Sequence, residues 1–177
     1  TYSAVLPQII PHLVNEGLST GNASVLLSIT AIFGMGGKVL FGYLSERITA
    51  RSALMVNLFG QTIGVCLFVL SGASLFRWVT LPSFGLFFGG LGALMPIMIQ
   101  DTFGIRDFGS IYGMVNMATV VSFFCGPLLA GLVFDATGSY QPAFLLIAVF
   151  YIVGAFVLGT IKPIILPESQ LSTTINQ

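Results

Sequence analysis

The chain has 177 residues, of which 55% are hydrophobic and only 7% are charged. Its mean hydropathy is +0.98, whereas a soluble domain carries about 25% charged residues to face water, so the composition excludes an ordinary soluble protein. Six Lys and Arg residues balance six Asp and Glu residues, and this neutrality argues against nucleic-acid binding, which needs a basic surface.

The few charges divide the chain into long apolar runs. A bilayer core of about 30 Å is crossed by roughly 20 apolar residues in a helix, and each run is long enough to span it. The sequence therefore predicts an all-α, polytopic transmembrane bundle that forms one domain over residues 1–177. The predicted spans cover approximately residues 23–44, 52–70, 78–100, 108–134 and 142–161, after a partial helix over 1–15.

The first residues predict the end of a helix whose beginning is missing. Residues 1–15 are too short to span alone and are interrupted by two prolines, and the chain opens on Thr1 rather than Met. We therefore expect an upstream portion. Residues 16–22 form a polar turn, in which Ser19 or Thr20 could cap the next helix by accepting a backbone N–H.

Lys and Arg residues collect on one predicted side of the membrane, namely Arg47, Arg51, Arg106 and Lys162. The opposite side, formed by residues 12–22, 71–77 and 135–141, holds only Arg77. Because short cytoplasmic loops carry an excess of positive residues, loops 45–51 and 101–107 and the C-terminus are predicted to be cytoplasmic. The expected location is the plasma or inner membrane.

Lys38 is the one charge inside a predicted span. It lies about 9–10 Å from the cytoplasmic end of that span, at 1.5 Å per residue. Charged residues at membrane depth are costly, by about 2.5–3.5 kcal/mol on insertion scales, and they mark substrate or ion pathways. Lys38 is therefore a candidate contact for an anionic substrate. The alternative is that its long stem snorkels to the interface or joins a structural pair.

In the fourth span, Tyr112, Asn116, Thr119 and Phe123 recur at helical spacing and share one face. One interpretation is that this face lines a substrate cavity, with Tyr112, Asn116 and Thr119 as binding residues. The other is that its polar groups hydrogen-bond to neighbouring helices without a ligand.

The spans contain no constellation for catalysis or metal binding. They hold no paired carboxylates, no His/Glu ligand set and no Ser/His pair, so we expect neither an enzyme nor a metal or cofactor site. Cys66 and Cys125 lie within apolar runs, where they are interpreted as small apolar side chains. His12 could titrate, although an interfacial histidine is more often a solvated or hydrogen-bonded side chain.

Two segments share the pattern Gly-x4-Gly-x3-acid, one over 37–46 and the other over 126–135. They end spans that point in opposite directions, as in an inverted 3+3 repeat, although a glycine-rich chain can produce the pattern by chance. The first extends into Gly42-Tyr-Leu-Ser-Glu46-Arg47-Ile-Thr-Ala-Arg51, which resembles the cytoplasmic signature of the major facilitator superfamily. The second contains Gly126-Pro127-Leu-Leu-Ala-Gly131, which resembles a glycine–proline motif of that family.

The resemblance implies helices seven to twelve of such a transporter, with an N-terminal half missing. It implies that Gly42, Glu46, Arg47 and Arg51 form a cytoplasmic gating motif with charge pairs, and that Gly126, Pro127 and Gly131 form a helix-packing motif.

Segments 11–19, 103–113 and 134–140 resemble the branch of monocarboxylate porters and oxalate/formate antiporters. In that branch a basic residue at the position of Lys38 contacts the substrate carboxylate. Proton-coupled members place a carboxylate one turn earlier, where this chain has Gly34.

The expected function is therefore secondary transport of a small organic anion by alternating access. Its expected partners are the lipid bilayer, the missing half and the substrate, with no nucleic acid. The alternatives are a porter for a non-anionic solute and a non-transporting membrane scaffold or sensor on the same fold.

Overall fold

A computed structural model describes residues 2–71 and 75–160, and six α-helices account for most of this part of the chain. They are α1 (Tyr2–Asn15), α2 (Thr20–Arg47), α3 (Ala50–Ser71), α4 (Arg77–Phe103), α5 (Phe108–Thr137) and α6 (Gln141–Thr160). No β-strand occurs within the described ranges. The all-helical prediction is confirmed.

Helices α2 to α6 are each long and apolar enough to cross a membrane. They coincide with the five predicted spans and extend most of them by a few residues, because the helices continue past the apolar runs into polar residues such as Arg47 and Asp101. Helix α1 matches the predicted partial helix. The predicted loop residues 72–74 and the tail with Lys162 lie outside the described residues.

The turn before α2 is capped as the sequence predicts. Ser19 is the N-cap residue, and its hydroxyl oxygen accepts a hydrogen bond from the backbone N–H of Asn22 at 3.3 Å. At the other end of two later helices the chain reverses through glycines with positive φ, Gly104 after α4 and Gly138 after α5. These are conformations that residues with a side chain rarely adopt.

Helix α4 lies at the centre of the bundle and packs against α2 and α3. Helix α3 also packs against α6, and α1 packs against α5 and α2. Two groups of buried apolar side chains fill the interior. The larger includes Ile9, Leu26, Phe68, Phe84 and Phe144, and the smaller comprises Phe41, Ala53, Leu54, Leu94 and Leu158.

Side-chain contacts place several helix ends together. Arg51, at the start of α3, donates hydrogen bonds to the carbonyl oxygens of Leu158 and Gly159 at the end of α6. At the opposite end, the ring of His12 lies 5.2 Å from that of Phe68 and 6.3 Å from that of Tyr140. These contacts agree with the predicted grouping for residues 45–51 with the end of the last span, and for residues 12–22 with 135–141, while the side on which residues 101–107 lie stays a prediction. The assignment of one end to the cytoplasm stays a prediction.

Candidate functional site

The packing of α2 against α4 determines on which side of α2 the Lys38 side chain lies. A Cβ added to Gly37 would overlap the backbone of Leu86, and one added to Gly89 would overlap the backbone of Gly34. Only glycines allow the two helix backbones to approach this closely. Lys38 directly follows Gly37 on α2. Because the Gly37 side of α2 packs against α4, the Lys38 side chain lies on the neighbouring face of the same helix.

An open cavity of about 240 Å³ lies beside this crossing, between α2, α4 and α5. Lys38 comes from α2, and five residues of α4 and four of α5 complete its wall. The α4 residues are Phe88, Gly89, Leu91, Gly92 and Met95, and the α5 residues are Tyr112, Val115, Asn116 and Thr119.

The structure thus brings together all four predicted binding residues, Lys38, Tyr112, Asn116 and Thr119, around one cavity. Three of the four polar and aromatic positions on the predicted α5 face line it, while Phe123, farther along α5, is half exposed and lies outside it. The helical spacing identified the correct face. That these residues bind a substrate stays a prediction.

Lys38 lines this cavity and is an exposed residue of α2. Its Cε lies 3.8 Å from the position that a Cβ would occupy on Gly92, so the lysine stem runs along the side-chain-free surface of α4. Lys38 forms no hydrogen bond or ion pair with any residue of 2–71 or 75–160. An ammonium at membrane depth without an internal counterion favours an external anion.

The α5 wall is ordered by hydrogen bonds within its own helix. The side-chain N–H of Asn116 donates to the carbonyl of Tyr112 at 3.1 Å, and the hydroxyl of Thr119 donates to the carbonyl of Val115 at 3.1 Å. The ring of Tyr112 stacks on that of Phe108, with centroids 5.3 Å apart and planes at 11°. These contacts hold the polar side chains in place without a ligand.

The predicted gating motif does not form charge pairs within the described part of the chain. Arg47 donates to the hydroxyl of Tyr43 at 2.6 Å and lies over its ring, and Arg51 binds the carbonyls at the end of α6. Glu46 has no ion pair or hydrogen bond in 2–71 or 75–160. Within these ranges both guanidinium groups use uncharged oxygens, and the charge pairs of the gating motif stay a prediction. Gly42 lies earlier on the same helix, where an added Cβ would meet no atom within 4 Å.

The predicted packing motif on α5 stays a prediction. A Cβ added to Gly131 would meet no atom within 4 Å in the described structure, so Gly131 permits no close approach here. Gly126 lies instead in an apolar groove of about 290 Å³ between α5 and α6, and the neighbouring Pro127 is half-buried. Close glycine contacts occur on α2, α3 and α4, and a Cβ on Gly159 of α6 would lie 3.3 Å from Cε of Met55.

Sequence reasoning missed two buried polar residues next to the site. Asn57 and Gln61 on α3 are both 0% exposed. The amide of Asn57 donates to the carbonyl of Phe87 on α4 at 2.5 Å, and that of Gln61 donates to the Asn57 side-chain oxygen at 2.7 Å. Two amide side chains one turn apart in an apolar run indicate a polar contact between helices, because such groups hydrogen-bond across membrane helices.

Comparisons with known proteins agree with this architecture. The family model of the Major Facilitator Superfamily matches residues 1–174. Mouse monocarboxylate transporter 12 is 29% identical over 164 residues, which are 90% of this chain and 34% of the relative. Human monocarboxylate transporter 14 is 30% identical over 161 residues, 88% of this chain and 31% of the relative.

A bacterial relative shows similar likeness. The hexuronate transporter of Bacillus subtilis (strain 168) is 31% identical over 169 residues, 87% of this chain and 40% of the relative. The chain therefore spans about a third of the length of the curated relatives it matches. Five membrane-crossing helices and these relatives identify an integral, multi-pass membrane protein. The family match over almost the whole sequence and the helical half-bundle together establish that the chain belongs to the Major Facilitator Superfamily.

Proposed function

We propose that this chain is the C-terminal half of a secondary active transporter that carries a small organic anion by alternating access. The observation that carries the proposal is the position of Lys38. It lies in a membrane-crossing helix, on a cavity that also contains Tyr112, Asn116 and Thr119. The proposal includes no enzymatic step and no cofactor.

The charge of the cavity supports an anionic substrate. Lys38 is the single charged residue among the described residues that line it. A carboxylate would neutralise the ammonium and form charge-assisted hydrogen bonds, which are roughly twice as strong as neutral ones. The half-buried ring of Tyr112 and the side chains of Phe88 and Leu91 would then cover the apolar part of the substrate.

The named relatives support the same chemistry. Monocarboxylates and hexuronates are both carboxylate anions, and transporters named for each of them match this chain at 29–31% identity. A carboxylate is the group that these two substrate classes share. It is also a group with which the ammonium of Lys38 would form a charge-assisted hydrogen bond.

A second bundle is part of the proposal. The cavity is open, and the exposed side chains of Met114 and Met117 add to a broad apolar surface on α5. The match to only about a third of each relative's length supports a partner half that would face this cavity. Rocking of the two halves about the substrate would expose it alternately to the two sides, with residues 45–51 on the cytoplasmic side of a plasma or inner membrane.

The test is uptake of mono- and dicarboxylates by the full-length protein in proteoliposomes. We expect saturable uptake, a rise in KM of at least about tenfold in Lys38→Gln through loss of a charge-assisted contact, and partial retention in Lys38→Arg. Arg106→Gln is the matched control, since it removes an exposed loop cation outside the cavity. Unchanged uptake in Lys38→Gln would remove the role assigned to Lys38.

The same experiment separates the alternatives. Carboxylate binding without flux would favour a sensor on this fold, and uptake confined to uncharged solutes would favour a porter for a non-anionic substrate. Ligand-induced thermal stabilisation of the purified protein measures binding independently of flux.

A further inference from the structure

We infer that the cavity selects a carboxylate that also carries hydroxyl groups, and that Thr119 and Asn116 are the residues that recognise those hydroxyls. The inference rests on the proposed function and names its substrate class. It follows from which hydrogen-bonding groups of the cavity wall are already used within the protein and which are left for a ligand.

Thr119 is left as an acceptor. A threonine hydroxyl has one hydrogen and two lone pairs, and in Thr119 the hydrogen is donated to the carbonyl of Val115 at 3.1 Å. The lone pairs of Thr119 Oγ1 can therefore accept a hydrogen bond from a ligand. A carboxylate oxygen cannot supply that hydrogen, because an ionised carboxylate only accepts.

Asn116 adds a second acceptor. One hydrogen of its side-chain amide is donated to the carbonyl of Tyr112 at 3.1 Å, which fixes the orientation of the amide. Its carbonyl oxygen keeps its lone pairs, and one N–H remains. This combination of one acceptor and one donor is complementary to a hydroxyl, which is both.

The wall of α4 contains a carbonyl that lacks its usual helical donor. Proline has no backbone N–H, so Pro96 within α4 cannot donate to the carbonyl of Gly92, four residues earlier. Gly92 lines the cavity, beside the stem of Lys38. The described wall thus combines one cation with two side-chain oxygen acceptors on α5, beside a glycine of α4 whose carbonyl lacks its usual helical donor.

This set of groups favours hydroxyls over amino groups as the second recognition element. No Asp or Glu occurs among the described residues that line the cavity, so this wall repels an ammonium on the substrate through Lys38 and offers it no compensating charge. A hydroxyl donates to the same acceptors and carries no charge. A carboxylate without hydroxyls would displace water from these acceptors and leave them unpaired, which reduces affinity.

The test uses three acids of equal carbon number, propionate, lactate and glycerate, which carry zero, one and two hydroxyls. Their apparent Kd for the purified full-length protein is measured by ligand-induced thermal stabilisation. We expect affinity in the order glycerate, lactate, propionate, with about tenfold between the first and the last, as one well-placed hydrogen bond provides. Alanine, with an amino group in place of the lactate hydroxyl, is expected to bind more weakly than lactate.

Variants of the cavity residues test which side chains recognise the hydroxyl groups of the substrate. Thr119→Val and Asn116→Leu should each reduce the ratio between the affinities for glycerate and for propionate. Ser122→Ala is the matched control, because Ser122 makes the same kind of bond within α5, to the carbonyl of Ala118, and lies outside this cavity. It should preserve the ratio.

The outcomes separate this inference from the function on which it rests. Equal affinity for the three acids, or tighter binding of alanine than of lactate, would overturn the inference alone. If none of the acids binds, or if Lys38→Gln leaves their binding unchanged, the proposed anion site fails and the inference fails with it.

Discussion

Gly34 of α2 lies against Gly89 of α4, and a Cβ built on Gly34 would be 3.9 Å from the Cα of Gly89 and 3.3 Å from the carbonyl oxygen of Gly85. The two helices therefore cross with their backbones in contact. The crossing lies one turn before Lys38 on α2 and next to the cavity wall on α4. The packing of this pair sets the position of the proposed anion contact.

Adjacent glycines on α2 provide a direct test of the crossing. A Cβ on Gly37 would overlap the backbone of Leu86, whereas a Cβ on Gly36 would meet no atom within 4 Å of the described structure. We expect Gly37→Ala to destabilise the full-length protein by about 1–3 kcal/mol through overpacking. Gly36→Ala should be neutral or slightly stabilising, since alanine favours helix by about 1 kcal/mol.

Thermal unfolding of both variants in detergent gives the comparison. Because they differ by one position and carry the same added methyl group, effects on expression or on the detergent belt are matched. Equal stability of the two variants would contradict the close crossing of α2 and α4.

Much of the fold could be predicted because the signals are local. Charges interrupt the apolar runs, so the helices follow from the sequence alone, and the spacing of Tyr112, Asn116 and Thr119 identified the face that lines the cavity. Lys38 was recognisable because a charge in an apolar run is rare. Each of these inferences needs only residues of one helix.

The remainder depends on which helices meet. Gly85/Gly89 and Gly126/Ala130 have the same small-xxx-small spacing, yet Gly85 and Gly89 contact α2 while Gly126 lies in an open groove. The sequence shows only that a close approach is possible. Gly34 was interpreted as the site of an absent carboxylate, and the structure shows in addition that a side chain there would press on the backbone of α4.

Arg51 is predicted to stabilise the end of α6 by binding its backbone carbonyls. It donates to the carbonyls of Leu158 and Gly159, which belong to the last described turn of α6, where a helix carries its partial negative charge. Arg51→Gln should destabilise the protein by about 1 kcal/mol, the value for a charge-assisted bond reduced by solvent exposure.

Arg47→Gln is the control for this prediction. Arg47 bonds only to Tyr43 of its own helix among the described residues, so its loss should change stability by less than about 0.5 kcal/mol. Amide hydrogen exchange near residues 155–160 locates the effect. We expect faster amide exchange in Arg51→Gln but not in Arg47→Gln. Equal exchange rates in both variants would contradict the role of Arg51 in stabilising the end of α6.

The ring of His12 is predicted to stabilise the bundle by packing against other aromatic rings rather than by hydrogen bonding. Its ring is 4% exposed and meets those of Phe68 and Phe144 edge-on, at 5.2 and 5.1 Å, and its Nδ1 is buried without a hydrogen bond in the described structure. His12→Phe should therefore retain stability, whereas His12→Ala should lose about 2–4 kcal/mol by opening a cavity. If both variants lose stability equally in thermal unfolding, the imidazole nitrogens rather than the ring shape are important.

The pair Asn57 and Gln61 is predicted to hold α3 against α4 as a unit. Asn57 donates to the Phe87 carbonyl and accepts from Gln61, so Asn57→Leu removes the bond between helices and also leaves the Gln61 amide buried without its acceptor. The expected loss is about 1–3 kcal/mol. Replacing both residues by leucine should restore part of this stability, because no buried amide then remains unsatisfied.

Equilibrium unfolding of the single and double variants in mixed micelles gives the coupling free energy of the pair. Thr62→Val is the control, since the hydroxyl of Thr62 bonds within α3 to the carbonyl of Leu58 at 2.9 Å and reaches no other helix. It should change stability by less than about 0.6 kcal/mol, the average for hydrogen bonds between membrane helices. Losses that simply add in the double variant would show that Asn57 and Gln61 act independently, so that Asn57 alone would connect α3 to α4.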